Sequence, residues 1–555
     1  MIGERELVAL LYRADWTRLS LSGEVYGSDE RVASMLTFIQ AHRADSGGPF
    51  PPFPPFGPMR PGVTRLLLAP GKRYRKDSEH GWHAEGSDGE RIWLWAQSLP
   101  GPPPGLPPGE MRLGGGPEPP FPALLCPSWL LAGYDLQIRE PVTACGRDGI
   151  RVTARARNVD PLPYPRFPAS LPLARFEHVD AIVDAELGIL LRCEQRNGDQ
   201  AAELAEFRTL TVDPAVDPER FTAPPGAVFG EPHGQHTMSF GPFDMPLRGP
   251  AWDVAKTAAG LAAGGMGAAL RYSPFGPFGP FGRRPPRPDP DDAEAAMPRD
   301  DQAPDDPADE APAGDEVLHL LYRGGAGVPA FTATLHEWSD PAGLLAAVPE
   351  SARAAGFGGV GYLVDTIADA ARVAPAASHA VSSVRIGGWD RYRIDRVHGT
   401  PRTRRRLSVQ LKKPVTVACD GQRRWRVYDD RVSVGPAGPP PAEITDLIDG
   451  SWLLRCELSG GAEVSVGGRR AFRVRVVPRD QAASSLLMFR FPAVALVDAE
   501  TGRLLRFTSY ARGKPVARHE LRDVALGDSG DFGFEPPPGL RVTEDEDEAE
   551  ADGRA

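Results

Sequence analysis

Two pairs of acids are the first residues whose spacing could do chemistry. Asp184 and Glu186 stand two apart, and Asp498 and Glu500 repeat the arrangement. Two carboxylates so placed could share acid and base work, one giving a proton while the other takes it. Their surroundings argue for another role. Each pair lies in Asp-Ala-Glu-x-Gly, at 184–188 and 498–502. Asp bonds the backbone two residues on and Gly accepts positive φ, so the segment reads as a hairpin turn. His233 and His236, three apart with no acid or cysteine set beside them, fall short of a metal site. The basic run Arg402, Arg404, Arg405, Arg406, Lys412, Lys413 could meet phosphates from one strand face, but no stacking aromatics are interleaved. A solvated edge strand, or contact with this chain's own acidic linker, accounts for it as well. GxSxG, GxxxxGK[ST] and HExxH do not occur. The expectation is a protein without catalysis, metal or cofactor, and not a nucleic-acid binder.

What remains is aromatic. Trp93, Trp95, Trp129 and Tyr134 in the first half of the chain are answered by Trp425, Tyr428 and Trp452 in the second. Packed core is one reading of these rings. The other is an apolar cleft, lined by them, for an acyl chain or another hydrophobic ligand.

These residues sit on a tandem duplication. Val183–Arg192 returns as Val497–Arg506 with eight of ten positions identical. Leu10–Arg13 matches Leu320–Arg323, and Arg73–Arg75 matches Arg391–Arg393. Asp88–Trp93 is answered by Asp420–Trp425, and Ser128–Leu131 by Ser451–Leu454. Five landmarks in one order, about 310 to 332 residues apart, make the repeat one domain long.

The positioning elements read as mostly β. In Ile150–Arg157 the apolar residues fall at every second position, as they do at Phe472, Val474 and Val476. Such strands have one wet and one dry face and belong to antiparallel sheet. Asp88-Gly89 and Asp420-Gly421 predict a second hairpin in each copy. Helices are predicted over 30–42, 342–373 and 442–450. Each copy is thus α+β, mainly β: a large antiparallel sheet with one or two helices over its apolar face.

The organisation expected is a first module at 5–228, a linker at 229–314, a second module at 315–541 and an acidic tail at 542–555. The linker holds an Ala/Gly-rich helix candidate at 251–272, a Pro-Phe-Gly tract at 274–282 and an acidic segment at 289–314. Asp253 and Lys256 leave that helix an uncharged run too short to span a bilayer. The net charge of −11 is concentrated. Residues 289–316 carry twelve acids against one Arg, and 544–552 carry seven acids and no base, so the remainder is mildly basic. Arginine supplies 57 of the 63 basic residues, which with the 61 Gly and 60 Pro points to a GC-rich bacterial genome. The start lacks the pattern of a secretory signal, and the five cysteines form no CxxC pair. The expected compartment is the cytoplasm, with a peripheral membrane association left open.

Together, the Arg-Tyr-Arg strand, the Asp-Gly hairpin with its aromatic strand, and the Asp-x-Glu-x-Gly hairpin resemble the LolA/LppX/RseB-like superfamily of bacterial lipoprotein carriers and lipid-sensing regulators. The resemblance covers most of both copies. It implies an unclosed, strongly curved half-barrel in each, with helices in the concavity and a hydrophobic cavity for acyl chains or lipidated partners. It also implies no catalysis. The alternative is a regulatory or scaffold protein with filled half-barrels, binding partners through its Pro/Phe-rich and acidic segments.

Overall fold

The computed structural model describes residues 2–29, 62–79, 83–96, 113–114, 120–157, 176–197, 200–225, 227–231, 311–324, 330–340, 343, 378–399, 415–428, 431–438, 440–478, 491–527, 532 and 534–544. The helices predicted at 30–42 and 251–272, the Pro-Phe-Gly tract, the basic run and nearly all of 342–373 lie outside these residues. The chain divides into two compact units, Met1–Ala258 and Ala259–Ala555.

Unit one opens with helix α1 (Glu4–Arg13). Acids in its first turn and Arg13 in its last oppose the helix dipole, and Leu7, Val8, Leu11 and Tyr12 form its buried stripe. The strands that follow are β1 (Leu21–Asp29), β2 (Gly62–Ala69), β3 (Arg73–Ser78), β4 (His83–Asp88), β5 (Ile92–Ala96) and β6 (Leu113–Gly114). Two short helices, α2 (Pro122–Leu125) and α3 (Ser128–Leu131), precede β7 (Tyr134–Ala144). The unit continues through β8 (Arg147–Ala156), β9 (His178–Asp184), β10 (Leu190–Asn197), β11 (Gln200–Val212) and β12 (Val228–Glu231). They form one open sheet in the order β6-β12-β5-β4-β3-β2-β1-β11-β10-β9-β8-β7, antiparallel except where β12 meets β6.

Unit two begins with helix α4 (Asp315–Gly324) and strands β13 (Phe331–Ser339), β14 (Ser378–Ile386), β15 (Arg391–Gly399), β16 (Thr416–Asp420), β17 (Arg423–Val427) and β18 (Arg431–Pro436). Helix α5 (Ala442–Ile448) and a 3-10 turn at Gly450–Arg455 lead to β19 (Glu457–Val466). The remaining strands are β20 (Arg469–Val477), β21 (Ala493–Asp498), β22 (Leu504–Ala511), β23 (Lys514–Leu526) and β24 (Arg541–Glu544). Its open sheet runs β19-β20-β21-β22-β23-β13-β14-β15-β16-β17-β18-β24. Ten strands therefore occupy equivalent places in the two sheets. Among the described residues neither sheet closes, which gives two α+β half-barrels.

The alternation predicted for 150–157 is present, with Ile150, Val152 and Ala154 buried and Arg151 and Arg155 exposed. Both predicted hairpins form. Residues paired across neighbouring strands share a face. Leu21, Leu68 and Tyr74 lie on one face of the first sheet, whereas Leu67, Arg75, Gly86 and Trp93 lie on the other. The helices cover the first of these. Trp16, just after α1, meets Tyr74 edge-on at 6.3 Å. In unit two Phe331, Ile386 and Tyr392 form the equivalent face, and Arg393, Ala418 and Trp425 the opposite one.

The repeated landmarks meet here. Gly188 has φ +74, and a Cβ on it would stand 2.4 Å from the Leu10 carbonyl oxygen. Gly502 has φ +70 and would meet the Leu320 oxygen at 2.0 Å. The glycine of Asp-Ala-Glu-x-Gly is thus fixed twice over, by the turn and by the helix carrying Leu-Leu-Tyr-Arg, which lies against it.

Candidate functional site

Trp93 is carried by β5 opposite Gly86, and a Cβ there would stand 2.3 Å from the indole. The missing side chain lets the ring lie across β4. Its Nε1–H donates to the Phe221 carbonyl at 3.0 Å, the Arg75 guanidinium lies 5.7 Å from its ring, and it is 1% exposed. Trp425 stands opposite Ala418 and packs on Phe534 at 5.7 Å, within a cluster with Val427 and Val432. Both tryptophans belong to the face away from the helices, where the segments around Phe221 and Phe534 cover them. Trp95, two residues on, shares the face of Trp93 and is partly exposed. Tyr428 is also partly exposed, with the Arg431 guanidinium 4.9 Å from its ring.

Trp129 and Trp452 are built differently. Trp129 is on α3, its Nε1–H donating to the Ala123 carbonyl six residues back at 3.1 Å. Trp452, in the 3-10 turn, donates to the Asp446 carbonyl, again six residues back, at 2.9 Å. The same bond holds the two indoles in the same local setting. Trp129 meets Tyr134 edge-on at 5.7 Å, and the Tyr134 hydroxyl accepts from the Phe176 amide at 2.9 Å. Trp452 meets Phe507 at 5.4 Å. Phe507 lies on β22 opposite Ala495, which is paired with Val474 on the buried face of β20. The seven aromatic residues therefore form separate groups, and eight strands of the sheet order lie between β5 and β7. Phe221, Phe507 and Phe534 complete these groups; the sequence reading missed them because their partners are distant in the chain.

The repeated carboxylates have a partner that spacing did not reveal. Asp184 Oδ1 accepts the amides of Glu186 at 3.0 Å and Leu187 at 2.8 Å, the turn chemistry expected. Its carboxylate is also gripped by both branches of Arg147, whose Nη2 reaches Glu186 at 2.9 Å. Asp498 accepts the Glu500 and Thr501 amides at 3.0 and 2.9 Å, and Arg469 holds Asp498 and Glu500 in the same way. Burial of Asp184 and Asp498 pushes their pKa up, but the arginine and amide bonds outweigh it and hold both below the ordinary carboxylate value. Carboxylates held ionised in this way are poor proton donors and serve as a clamp.

On the face away from the helices, Arg192, Glu206 and Arg208 recur as Arg506, Glu520 and Arg522. Among the described residues no group of three or more His, Cys, Asp or Glu could hold a metal ion. No described helix is long and apolar enough to cross a membrane. A Gly-x-Gly-x-x-Gly run, Gly356 to Gly361, lies outside the described residues.

No family model and no curated protein matches the chain. Several solved structures are similar. MucB is 12% identical over 40% of this chain and 64% of its own length, just under two thirds, with TM-score 0.23. LprF from Mycobacterium bovis is 10% identical over 40% of this chain and all of its own, with TM-score 0.23. A LolA superfamily protein from Nitrosomonas europaea is 8% identical over 40% of this chain and 99% of its own, with TM-score 0.17. Each match covers about the length of one copy. The architecture itself rests on the strand order and register above.

Proposed function

We propose that the chain is a non-enzymatic binding protein whose two half-barrels take a hydrophobic moiety, an acyl chain or a lipidated or apolar partner segment, on the helix-covered face. The observation that carries this reading is the equivalence of Trp129 and Trp452. In each unit an indole beside that face has its one polar atom tied to a carbonyl six residues back, so whatever surface the partly exposed Trp129 or the buried Trp452 turns to a ligand is apolar. A wall of that kind suits a greasy ligand and has nothing to give a polar reaction. The matched Trp93 and Trp425, which pack on the opposite face, are assigned to stability.

Mass spectrometry of lipid extracted from the purified full chain, with fluorescent fatty-acid titration, tests the proposal. A co-purifying lipid, and a fatty-acid signal weakened by Trp129→Ala and Trp452→Ala but not by Trp425→Phe, is the expected result. Absence of lipid together with unchanged tryptophan emission would overturn it.

The burial of Trp452 to 9%, beside the helix-covered face, favours a second reading, filled half-barrels on a scaffold that binds through its linker. The deletion that tests it must stop before residue 311, because the Ala313 amide and the Ala311 carbonyl already bond Leu458 and Gly460 of β19. Loss of partner capture on removing 273–308, with lipid binding intact, favours the scaffold. The cytoplasm remains our proposed compartment, supported by the five cysteines, all free thiols.

A further inference from the structure

We propose that His336 and His379 form a two-imidazole site for one divalent transition metal, copper(II), nickel(II) or zinc(II), on the face of the second sheet away from the helices. His336 on β13 is paired with Val381, and His379 on β14 with Trp338, so the two imidazoles are diagonal neighbours on one face. Their rings are stacked with centroids 5.5 Å apart and 26° between planes, and Nδ1 of His336 lies 3.4 Å from Nε2 of His379. Two nitrogens each about 2.0–2.1 Å from a tetrahedral zinc stand roughly 3.3–3.4 Å apart, and cis nitrogens on a square-planar copper or nickel about 2.9 Å apart. The apo separation matches that of a tetrahedral ligand pair, and the same 3.4 Å suits a hydrogen bond between the rings; because the rings are stacked, binding requires both to turn until their in-plane lone pairs meet at one point.

The surroundings define the rest of the coordination. Glu520, paired with His336 in register, is not free to ligate: its oxygens hold Arg506 at 2.6 Å and Arg522 at 2.7 Å. Arg522 opposes a cation, while Glu337 and Asp523 favour one. Two protein nitrogens with water in the other positions therefore make a modest site, and imidazole donors select copper, nickel or zinc over magnesium or calcium. The first copy supplies an internal control. Tyr26 takes the place of His336, with the Arg208 guanidinium 4.8 Å from its ring, so the described residues of unit one hold no such pair.

The full chain is titrated with copper(II) chloride, followed by calorimetry and electron paramagnetic resonance. One saturable equivalent with two imidazole nitrogens in its spectrum is expected. His336→Gln and His379→Gln should each weaken it by about tenfold or more, since losing even an outer-shell partner costs about that much. Both positions are on the surface, so metal-free thermal unfolding should match the wild type. His233→Gln/His236→Gln should titrate unchanged. Wild-type copper binding in both single variants, no saturable equivalent, or a signal that follows His233 and His236 would overturn the proposal.

Discussion

Arg147 carries more of the first unit than its position at a hairpin end suggests. Its side chain is 20% exposed, yet the Asp184 it grips is fully buried, while Glu186 is 80% exposed. Removing the arginine leaves a buried carboxylate without its counter-charge, so Arg147→Ala should cost about 3 kcal/mol in urea unfolding. Glu186→Gln should cost under about 1 kcal/mol, as an exposed partner does. The same clamp sets the acid limit. Asp184 has a folded pKa below its ordinary 3.8, so its stabilisation is full above that value and is lost only as pH falls through the lowered folded value. Acid titration followed by circular dichroism should therefore show Arg147→Ala unfolding at higher pH than the wild type. Arg503 is the opposite case. It is 2% exposed, burial lowers its pKa to about 10, and the first copy has the buried Ile189 in its place. A depression of that size corresponds to a cost of about 3 kcal/mol, partly offset by about 1–2 kcal/mol from the Phe331 ring 4.5 Å away. That cost is fully present below the folded pKa and fades as pH rises above about 10. Arg503→Ile should raise the stability of unit two by about 1–2 kcal/mol at pH 7, read as a higher unfolding midpoint.

Helix and hairpin depend on each other through one glycine. With the Leu10 carbonyl 2.4 Å from where a Cβ would be, Gly188→Ala must move backbone, and its φ of +74 adds strain. A loss of about 3 kcal/mol or more is expected from clash and strain together. Gly146→Ala, also at positive φ but with open space around it, should lose about 1 kcal/mol. Equal losses in the two variants would refute the helix contact. This level also shows what the sequence could and could not reveal. Turn and strand were readable because their signals are local: Asp184 bonds amides two and three residues on, and Ile150, Val152 and Ala154 alternate within one strand. The Arg147 clamp was not, since its partner is 37 residues away. Nor were the faces of Trp93 and Trp129, which depend on which strand pairs with which. Edge order was equally hidden. In unit two, Tyr428 bonds Arg431 and closes β17 onto β18. In unit one the corresponding connection is residues 97–112 with six prolines, and the C-terminal β12 takes the place beside β5. Proline cannot donate to a ladder, and the strand paired with β5 on that side is β12.

At the scale of the whole molecule, the two copies are repeats of a fold but not of a surface. Ten strand positions, the Arg–Asp–Glu clamp and the glycine–helix contact recur, whereas Tyr26 stands where the second copy has His336, and Ile189 where it has Arg503. The turn clamp and the Arg–Glu–Arg group on the face away from the helices are shared, while single positions on that face and at the hairpin have diverged. Among the described residues every ladder bond lies within one sheet or the other, and each unit buries its own core. Two cooperative units should follow from that separation. Calorimetry of the full chain is therefore expected to resolve two transitions, and Gly188→Ala should lower one while leaving the other in place. Gly502→Ala should do the reverse, because its Leu320 contact belongs to the second unit. A single transition that moves as a whole in both variants would mean that the copies unfold together, and their separate treatment as binding modules would fail with it.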